Sequence, residues 1–277
     1  KEGLIVEFYR EMVRNYVAWG LNLPYELECE SSLNSSYRDT LLKPGHMFQN
    51  VRIEANNARG KYIERMFGKV RYGEEKKAIG WIARPTAKKE SNQKSTEDKI
   101  IIPYKQLVDD RLAEIENWNN SPHPNDSSLS RWDYFEQNQS NELKPINWHG
   151  MLPLIGHYTK TSCSVAKINL QGRKRAIAED GKILTGESLI EKMRMIEGKD
   201  LEVYWLDDKE GNVMKAYAYY NDKFVCEVME MPRFNRAKAE QTDACKAAMS
   251  LQSAYAMTVE MYTREKLKGI EDINIID

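Results

Sequence analysis

The second half of the chain alternates short apolar runs with turn residues, and this pattern restricts the fold more than any other feature. Five β-type runs lie at residues 155–158, 164–170, 201–206, 213–220 and 223–229. Turn residues separate several of them: Gln171-Gly172, Asp180-Gly181, Glu210-Gly211-Asn212 and Asn221-Asp222. Closely spaced strands joined by such turns predict a small antiparallel β-barrel or sandwich.

Helical segments accompany this region. Residues 187–196 predict a short helix inserted between the strands, and residues 232–266 predict a long helical tail with several alanines and many charges. We therefore expect three parts: residues 1–150, a barrel at 151–231, and a helical tail at 232–277.

The first 150 residues mix helix and strand patterns. Residues 4–20 carry an apolar stripe at helical spacing, and residues 104–119 repeat that pattern. Residues 25–30 alternate apolar and acidic side chains, as a strand does, which places Glu28 and Glu30 on one face. Residues 46–53 predict another strand, residues 56–69 another helix, and Ser130 is a suitable N-cap for a helix at 131–137. The fold class expected is α/β followed by a small all-β barrel and a C-terminal helix.

Composition narrows the functional classes. The chain has 277 residues, is 41% hydrophobic and 30% charged, and has a net charge of −1, which is typical of a folded globular protein. Its four cysteines form no CxxC pair, so neither a disulfide framework nor a zinc site is expected. Neither a signal peptide nor an apolar run of 18 residues is present, so we expect no membrane association and a cytoplasmic location.

Residues 55–69 combine one acid with several cations. Glu64 is flanked by Lys61, Arg65 and Lys69, and residues 51–89 contain eleven Lys and Arg against four Asp and Glu. A carboxylate among basic groups suits a divalent metal ion acting on a phosphodiester, because the acid binds the metal while the cations hold the polyanion. The simpler interpretation is a solvated helix with charge pairs at three- and four-residue spacing.

Motifs in a defined order extend this interpretation. A helix ends in GLNLP and leads to the acidic strand, and a second strand precedes a helix carrying RGKYIERMFG. A later helix ends in WNNSPHP and is followed by SRWDYF. This order resembles the distal part of the catalytic core of DDE transposases and retroviral-type integrases, which have an RNase H-like fold. The series LEVYWLDDKEGNVMKAYAYYNDKFVCE resembles the small barrel that follows this core in phage Mu-type transposases.

The resemblance implies roles for three acids. The third catalytic acid of the family falls on Glu64, and the second falls on Glu30 or Glu28, where the family usually has Asp. Glu30 suits the end of the strand better, and Glu28 stays open. The family's first Asp precedes the opening helix, and no residue of this chain supplies it. We therefore expect a longer native protein, and no strand transfer by this chain alone.

Cofactors and partners follow from the same resemblance. Two Mg²⁺ (or Mn²⁺) ions are expected, with Glu64 and Glu30 among their ligands, and the partner expected is double-stranded DNA, both element ends and target. A homo-oligomer on bacterial DNA is expected, since two ends must be joined in one complex. The candidate DNA-binding residues are Lys61, Arg65, Lys69, Arg71, Arg84, Lys88, Lys167, Arg173 and Lys174.

Two other hypotheses stay open. The chain suits a non-catalytic DNA-binding or assembly module derived from a transposase, because Glu replaces Asp and the first acid is missing. A structural protein with an accidental likeness to integrases is the third hypothesis.

Overall fold

A computed structural model of the chain describes residues 2–54, 62–73, 77 and 100–268. Contacts divide the chain into two compact units, the first formed by Lys1–Ile53 with Lys144–Asp277 and the second by Glu54–Leu143. This division differs from the boundaries expected at residues 150 and 231, because the first 53 residues belong to the same unit as the barrel.

The larger unit is built on a closed, antiparallel, six-stranded β-barrel, which confirms the prediction from the turn pattern. The strand order is β11-β10-β9-β5-β6-β7, and pairing of β11 with β7 closes the ring. The short strand β8 adds to β7. The strands are β5 His157–Ser164, β6 Lys167–Leu170, β7 Arg173–Glu179, β8 Lys182–Ile183, β9 Asp200–Asp207, β10 Val213–Tyr220 and β11 Lys223–Met229.

Two-residue turns connect the hairpins of the barrel. The residue pairs 171–172, 180–181 and 221–222 all have positive φ at both positions, as type I′ turns require, and all three were predicted from sequence. The pair Val165-Ala166 has the same geometry, with φ of 52° and 54°, and was not predicted. The Glu197 carboxylate accepts hydrogen bonds from both of these backbone amides and so stabilises a turn that a β-branched residue disfavours.

Two helices cover the barrel. Helix α7, Gly186–Ile196, confirms the inserted helix, and α8, Asp243–Leu267, is the long helix within the predicted tail. The chain is not helical at 230–237, so α8 begins later than expected, where the Thr242 hydroxyl accepts a hydrogen bond from Cys245 N. Helix α8 buries Tyr255 and Tyr262 against the barrel core.

The N-terminal segment packs on the barrel through a second apolar cluster. Helix α1, Glu2–Ala18, contributes Tyr9 and Val13, and β9 and β10 contribute Leu206 and Tyr217. Helix α6, Trp148–Ile155, supplies Met151, Leu152 and Ile155, all fully buried. The expected strand at 155–158 is therefore wrong at its start, since Ile155 ends α6 and β5 begins at His157.

The same unit contains a two-stranded sheet of β1, Glu26–Glu30, and β2, Asn50–Glu54. A four-residue helix α2, Ser31–Asn34, follows β1 directly, and a 3-10 turn covers Ser35–Tyr37. Strand β2 is therefore shorter than the strand expected at residues 46–53, and it begins four residues further along the chain. The larger RNase H-like sheet stays a prediction.

The second unit contains helices α3, Tyr62–Gly73, α4, Tyr104–Asn120, and α5, Arg131–Gln137. The Ser130 side chain accepts a hydrogen bond from Asp133 N in a reciprocal capping box, which confirms its predicted role. Residues 120–130, expected as a loop, include the short antiparallel strands β3, Pro122–His123, and β4, Asp126–Ser130.

An ion-pair network joins α1 to the barrel. The Arg14 guanidinium is buried, and it donates hydrogen bonds to the Asp207 carbonyl at 3.1 Å and to the Asp207 carboxylate. It also contacts Glu7 at 2.8 Å and Glu11 at 3.3 Å. Burial is the largest single effect and would raise the pKa of Asp207. The Arg14 hydrogen bond, a backbone hydrogen bond and the charges of Arg14 and His157 together outweigh burial, so the net pKa lies below its usual value.

We expect Asp207→Asn to lower the free energy of unfolding at pH 7 by about 1.5–3 kcal/mol, because it removes a charge-assisted hydrogen bond at a largely buried arginine. Since the pKa of Asp207 is lowered on folding, its contribution is complete above the ordinary value of 3.8 and is lost as the pH falls through the folded-state value. Chemical denaturation across this pH range measures the effect. Glu11→Gln, at a half-exposed partner of the same arginine, should cost less; equal losses at every pH would contradict the assignment.

The Tyr255 hydroxyl fixes α8 on the barrel. It donates a hydrogen bond to the Ala166 carbonyl at 2.5 Å and accepts one from Ile177 N at 3.1 Å. These are backbone groups of β7 and of the turn before β6, and they are buried together with the tyrosine, whose pKa is raised by burial. The hydroxyl therefore satisfies two polar groups that would otherwise be unpaired.

We expect Tyr255→Phe to destabilise the protein by about 1–3 kcal/mol, because both buried backbone groups lose their partner. Tyr262→Phe is the matched control, since Tyr262 is also a buried tyrosine of α8 but has no hydroxyl hydrogen bond to the described residues. Thermal and urea unfolding measure both variants. A loss at Tyr262→Phe as large as that at Tyr255→Phe would show that the hydroxyl contacts are not the cause.

Candidate functional site

The acids of β1 occupy alternate positions of the strand. Glu26 and Glu28, whose side chains the structure describes, lie on one face, because strand side chains alternate between faces. Glu30 is the last residue of β1, and helix α2 begins at the next residue. Glu30 was expected at the end of a strand, before a loop. In the structure it ends the strand, but a helix follows instead of a loop.

A cation on the neighbouring strand contacts two of these acids. Arg52 of β2 places Nε 2.7 Å from Glu26 Oε1 and Nη2 3.6 Å from Glu28 Oε2. All three side chains are at least one-third exposed, so the pairs contribute at most about 1 kcal/mol to stability. Their importance is electrostatic, because the Glu28 carboxylate already faces a guanidinium.

Glu30 and Glu64 occupy different units of the molecule. Glu30 ends β1 in the first unit, and Glu64 is the third residue of α3 in the second unit. The structure describes the backbone of both residues but not their side chains. Their joint role in a catalytic centre stays a prediction.

A metal site is tested by the arrangement of potential ligands. Within residues 2–54, 62–73, 77 and 100–268, no three His, Cys, Asp or Glu side chains come together in a way that would hold a metal ion. Glu28, one of the candidate acids, contacts Arg52 instead. The two-ion centre expected at Glu30 and Glu64 stays a prediction, since the side chains of both residues lie outside the described part of the structure.

The basic residues predicted to contact DNA in the first half of the chain fall into three groups. Lys69 is an exposed residue of α3. Arg65 and Arg71 belong to the same helix, and their side chains are outside the described part of the structure. Lys61, Arg84 and Lys88 lie outside the described residues.

Three arginines of the barrel unit share one carboxylate. The Glu230 carboxylate lies 3.1 Å from Arg233, 3.4 Å from Arg173 and 3.6 Å from Arg175. Arg173 and Arg233 are exposed, as expected for residues that contact a polyanion. Arg175 is only 4% exposed, and burial lowers its pKa. Sequence reasoning missed Arg233, because it follows the last strand and only the fold brings it to Arg173.

Lys167 and Lys174 lie on another part of the barrel surface. Lys174 is exposed and belongs to β7, directly opposite Asn169 of β6. The Lys167 ammonium lies 4.2 Å from the centre of the Tyr255 ring, a cation–π contact. Burial lowers the pKa of Lys167. Lys167 and Asn169 are two residues apart, so the strand pattern indicates that they share a face of β6. The pattern does not indicate that α8 covers this face.

Other residues singled out from the sequence have structural roles. The His123 ring stacks on Tyr134 at 3.7 Å between centres, which is a structural contact. Tyr217 and Tyr219 each pack edge-to-face on Phe224, and Tyr204 packs edge-to-face on Tyr219. These contacts support packing rather than base stacking.

Among the described residues, none of the helices is both long and apolar enough to cross a membrane. No protein-family model and no curated protein matches the chain.

Proposed function

We propose that the chain is the distal part of a DDE-type transposase or integrase, which cleaves and joins DNA by metal-dependent phosphoryl transfer. The observation that carries the proposal is the order of the elements. An acidic strand ends at Glu30, a second strand follows, α3 carries Glu64, and a closed barrel with exposed basic residues comes later. Each of these elements was expected from the resemblance to that family.

In this proposal the acids bind divalent metal and the basic residues hold DNA. Mg²⁺ or Mn²⁺, when bound, would activate the attacking water or 3′-hydroxyl and stabilise the leaving oxygen. Glu30 and Glu64 are the proposed ligands in this chain. The protein would act on DNA ends and target as a homo-oligomer in the bacterial cytoplasm.

The contacts of Arg52 favour Glu30 over Glu28 as the second acid. A guanidinium beside Glu28 reduces the negative potential that attracts a divalent cation. Glu30 lies at the end of the strand, nearer to where the family places its acid. Glu28 is therefore assigned to the ion pair and Glu30 to the metal.

A second function is favoured by a different observation. One candidate acid, Glu28, is paired with Arg52. This pairing suits a DNA-binding or assembly module that has lost its catalytic centre. The barrel basic residues would serve either function in the same way.

Variants of the three candidate acids distinguish the catalytic function from the non-catalytic one. In the complete protein, including any segment before Lys1, we expect Glu64→Gln and Glu30→Gln each to reduce strand transfer more than about a hundredfold, because a metal ligand contributes several kcal/mol to the transition state. We expect Glu28→Gln to keep activity within a few-fold, since its partner is Arg52. The measurement is joining of labelled DNA ends to plasmid with Mg²⁺ or Mn²⁺.

DNA binding by the three variants is the control, and it should be unchanged. Wild-type transfer by Glu64→Gln would refute the metal assignment. An equal loss in Glu28→Gln and Glu30→Gln would refute the distinction between the two acids. Absence of transfer by the complete wild-type protein, with DNA binding intact, would favour the non-catalytic module.

Electrostatic binding to the barrel predicts a steep salt dependence. We expect the affinity for duplex DNA to fall linearly in a plot of log K against log salt, because each neutralised phosphate releases counterions. Although both arginines contact Glu230, Arg173 is 57% and Arg233 79% exposed, so each still presents a charged group to DNA at the surface. Replacing Arg173 and Arg233 by Gln should reduce the slope by about 0.9 for each phosphate that is no longer neutralised. Fluorescence anisotropy at several salt concentrations measures the slope, with Lys199→Gln as a matched charge control; an unchanged slope in the double variant would exclude this surface.

A further inference from the structure

A groove of about 670 Å³ lies between the β5–β7 face of the barrel and α8. Its barrel side is formed by β6 and β7, where Lys174 lies opposite Asn169, and its helix side by residues around Tyr255. A volume of this size is within the range of about 300–1,000 Å³ that is typical of small-molecule sites. None of the acids assigned to phosphoryl transfer lines it.

The groove contains a cation that lacks a negative partner. No described carboxylate lies within 4 Å of the Lys167 ammonium, whose contact is the Tyr255 ring. Partial burial of an ammonium costs solvation free energy, and a ring contact restores only about 0.5–2 kcal/mol of it. Lys174 adds a second positive charge to the same groove. An anionic group placed between these lysines would gain from both.

The remaining lining supplies both polar and apolar contacts. The Ser162 and Ser164 hydroxyls and the Asn169 amide offer neutral hydrogen-bond donors and acceptors beside the lysines. Val165 and Met231 form apolar parts of the wall. A phosphate needs only the cations, so the additional lining suits a ligand that is larger and partly apolar.

The arginine cluster around Glu230 is a weaker candidate for such a ligand. Its carboxylate already occupies the space shared by three guanidiniums, so an incoming phosphate would have to replace it.

In the groove, Glu260 is the acid in the lining, and no described cation lies within ion-pair distance of it. A carboxylate of this kind accepts hydrogen bonds from sugar hydroxyls.

We propose that this groove binds a single phosphorylated nucleoside, with the phosphate between Lys167 and Lys174 and the base along the apolar wall. The ligand would be either a free mononucleotide or one nucleotide of a single DNA strand. Binding of the free nucleotide does not depend on the proposed strand-transfer activity, and binding of the strand would give that activity a site for an unpaired nucleotide.

Titration calorimetry with four probes tests the ligand class: dAMP, deoxyadenosine, inorganic phosphate and a short single-stranded oligonucleotide. We expect dAMP to bind at least about tenfold more tightly than either deoxyadenosine or phosphate, because the groove contacts both the phosphate and the nucleoside of dAMP. Competition between dAMP and the oligonucleotide would show that one nucleotide of a single DNA strand also occupies the groove. Phosphate binding as tight as dAMP binding, or no dAMP binding at all, would overturn the proposal.

Variants locate the site. We expect Lys167→Gln and Lys174→Gln each to weaken dAMP binding about tenfold or more, since each removes a charge-assisted contact. Lys199→Gln is the matched control, because the Lys199 ammonium also lies over a tyrosine ring, 4.6 Å from the centre of Tyr220, but outside the groove. Lys174 is exposed, so its variant keeps the test valid if Lys167→Gln fails to fold.

Equal losses in all three variants, or no loss in the two groove variants, would show that dAMP binds elsewhere. Duplex DNA that competes with dAMP more strongly than single-stranded DNA does would assign the groove to the duplex surface and overturn the proposal. Strand transfer is not a readout here, so a failed proposed function would leave these results unaffected.

Discussion

Closure of the barrel by β7 and β11 is the interaction on which the larger unit depends. The pairing is short, with Val228 opposite Ile177 at its centre, yet it leaves the six-stranded ring without a free edge. Strand β7 also pairs with β6 and β8, and it receives the Tyr255 hydroxyl of α8 at Ile177. Strand β7 therefore takes part both in closing the ring and in docking α8.

The barrel supports apolar packing at two places. One cluster fills the barrel and extends to α7 and α8, and the other joins α1 and α6 to Leu206 and Tyr217. Gly156, between α6 and β5, makes the second contact possible. A Cβ at this position would lie 2.5 Å from the Leu152 carbonyl oxygen and 3.2 Å from Trp205 N. Helix α6 thus approaches β9 closely because position 156 has no side chain.

Pairing of charges distinguishes the candidate residues more sharply than their positions in the sequence do. Glu28 has a guanidinium partner, whereas the Lys167 ammonium has an aromatic one. Arg173 and Arg175 share Glu230. An acid or base that already has a partner of opposite charge contributes less to binding an external ion, and this is why Glu28 is assigned to structure and Lys167 to a ligand.

The sequence by itself determined the features that depend on near neighbours. The barrel hairpins follow from turn residues that tolerate positive φ, and the start of α5 follows from the Ser130 cap. Local pattern failed where a distant group intervenes. The Val165-Ala166 turn needs Glu197. Helix α6, which buries Met151, Leu152 and Ile155, contains Pro153 in a run that also suits a strand. Only the tertiary structure decided which charges are paired, because Arg14 and Asp207 are 193 residues apart and no local rule brings such groups together.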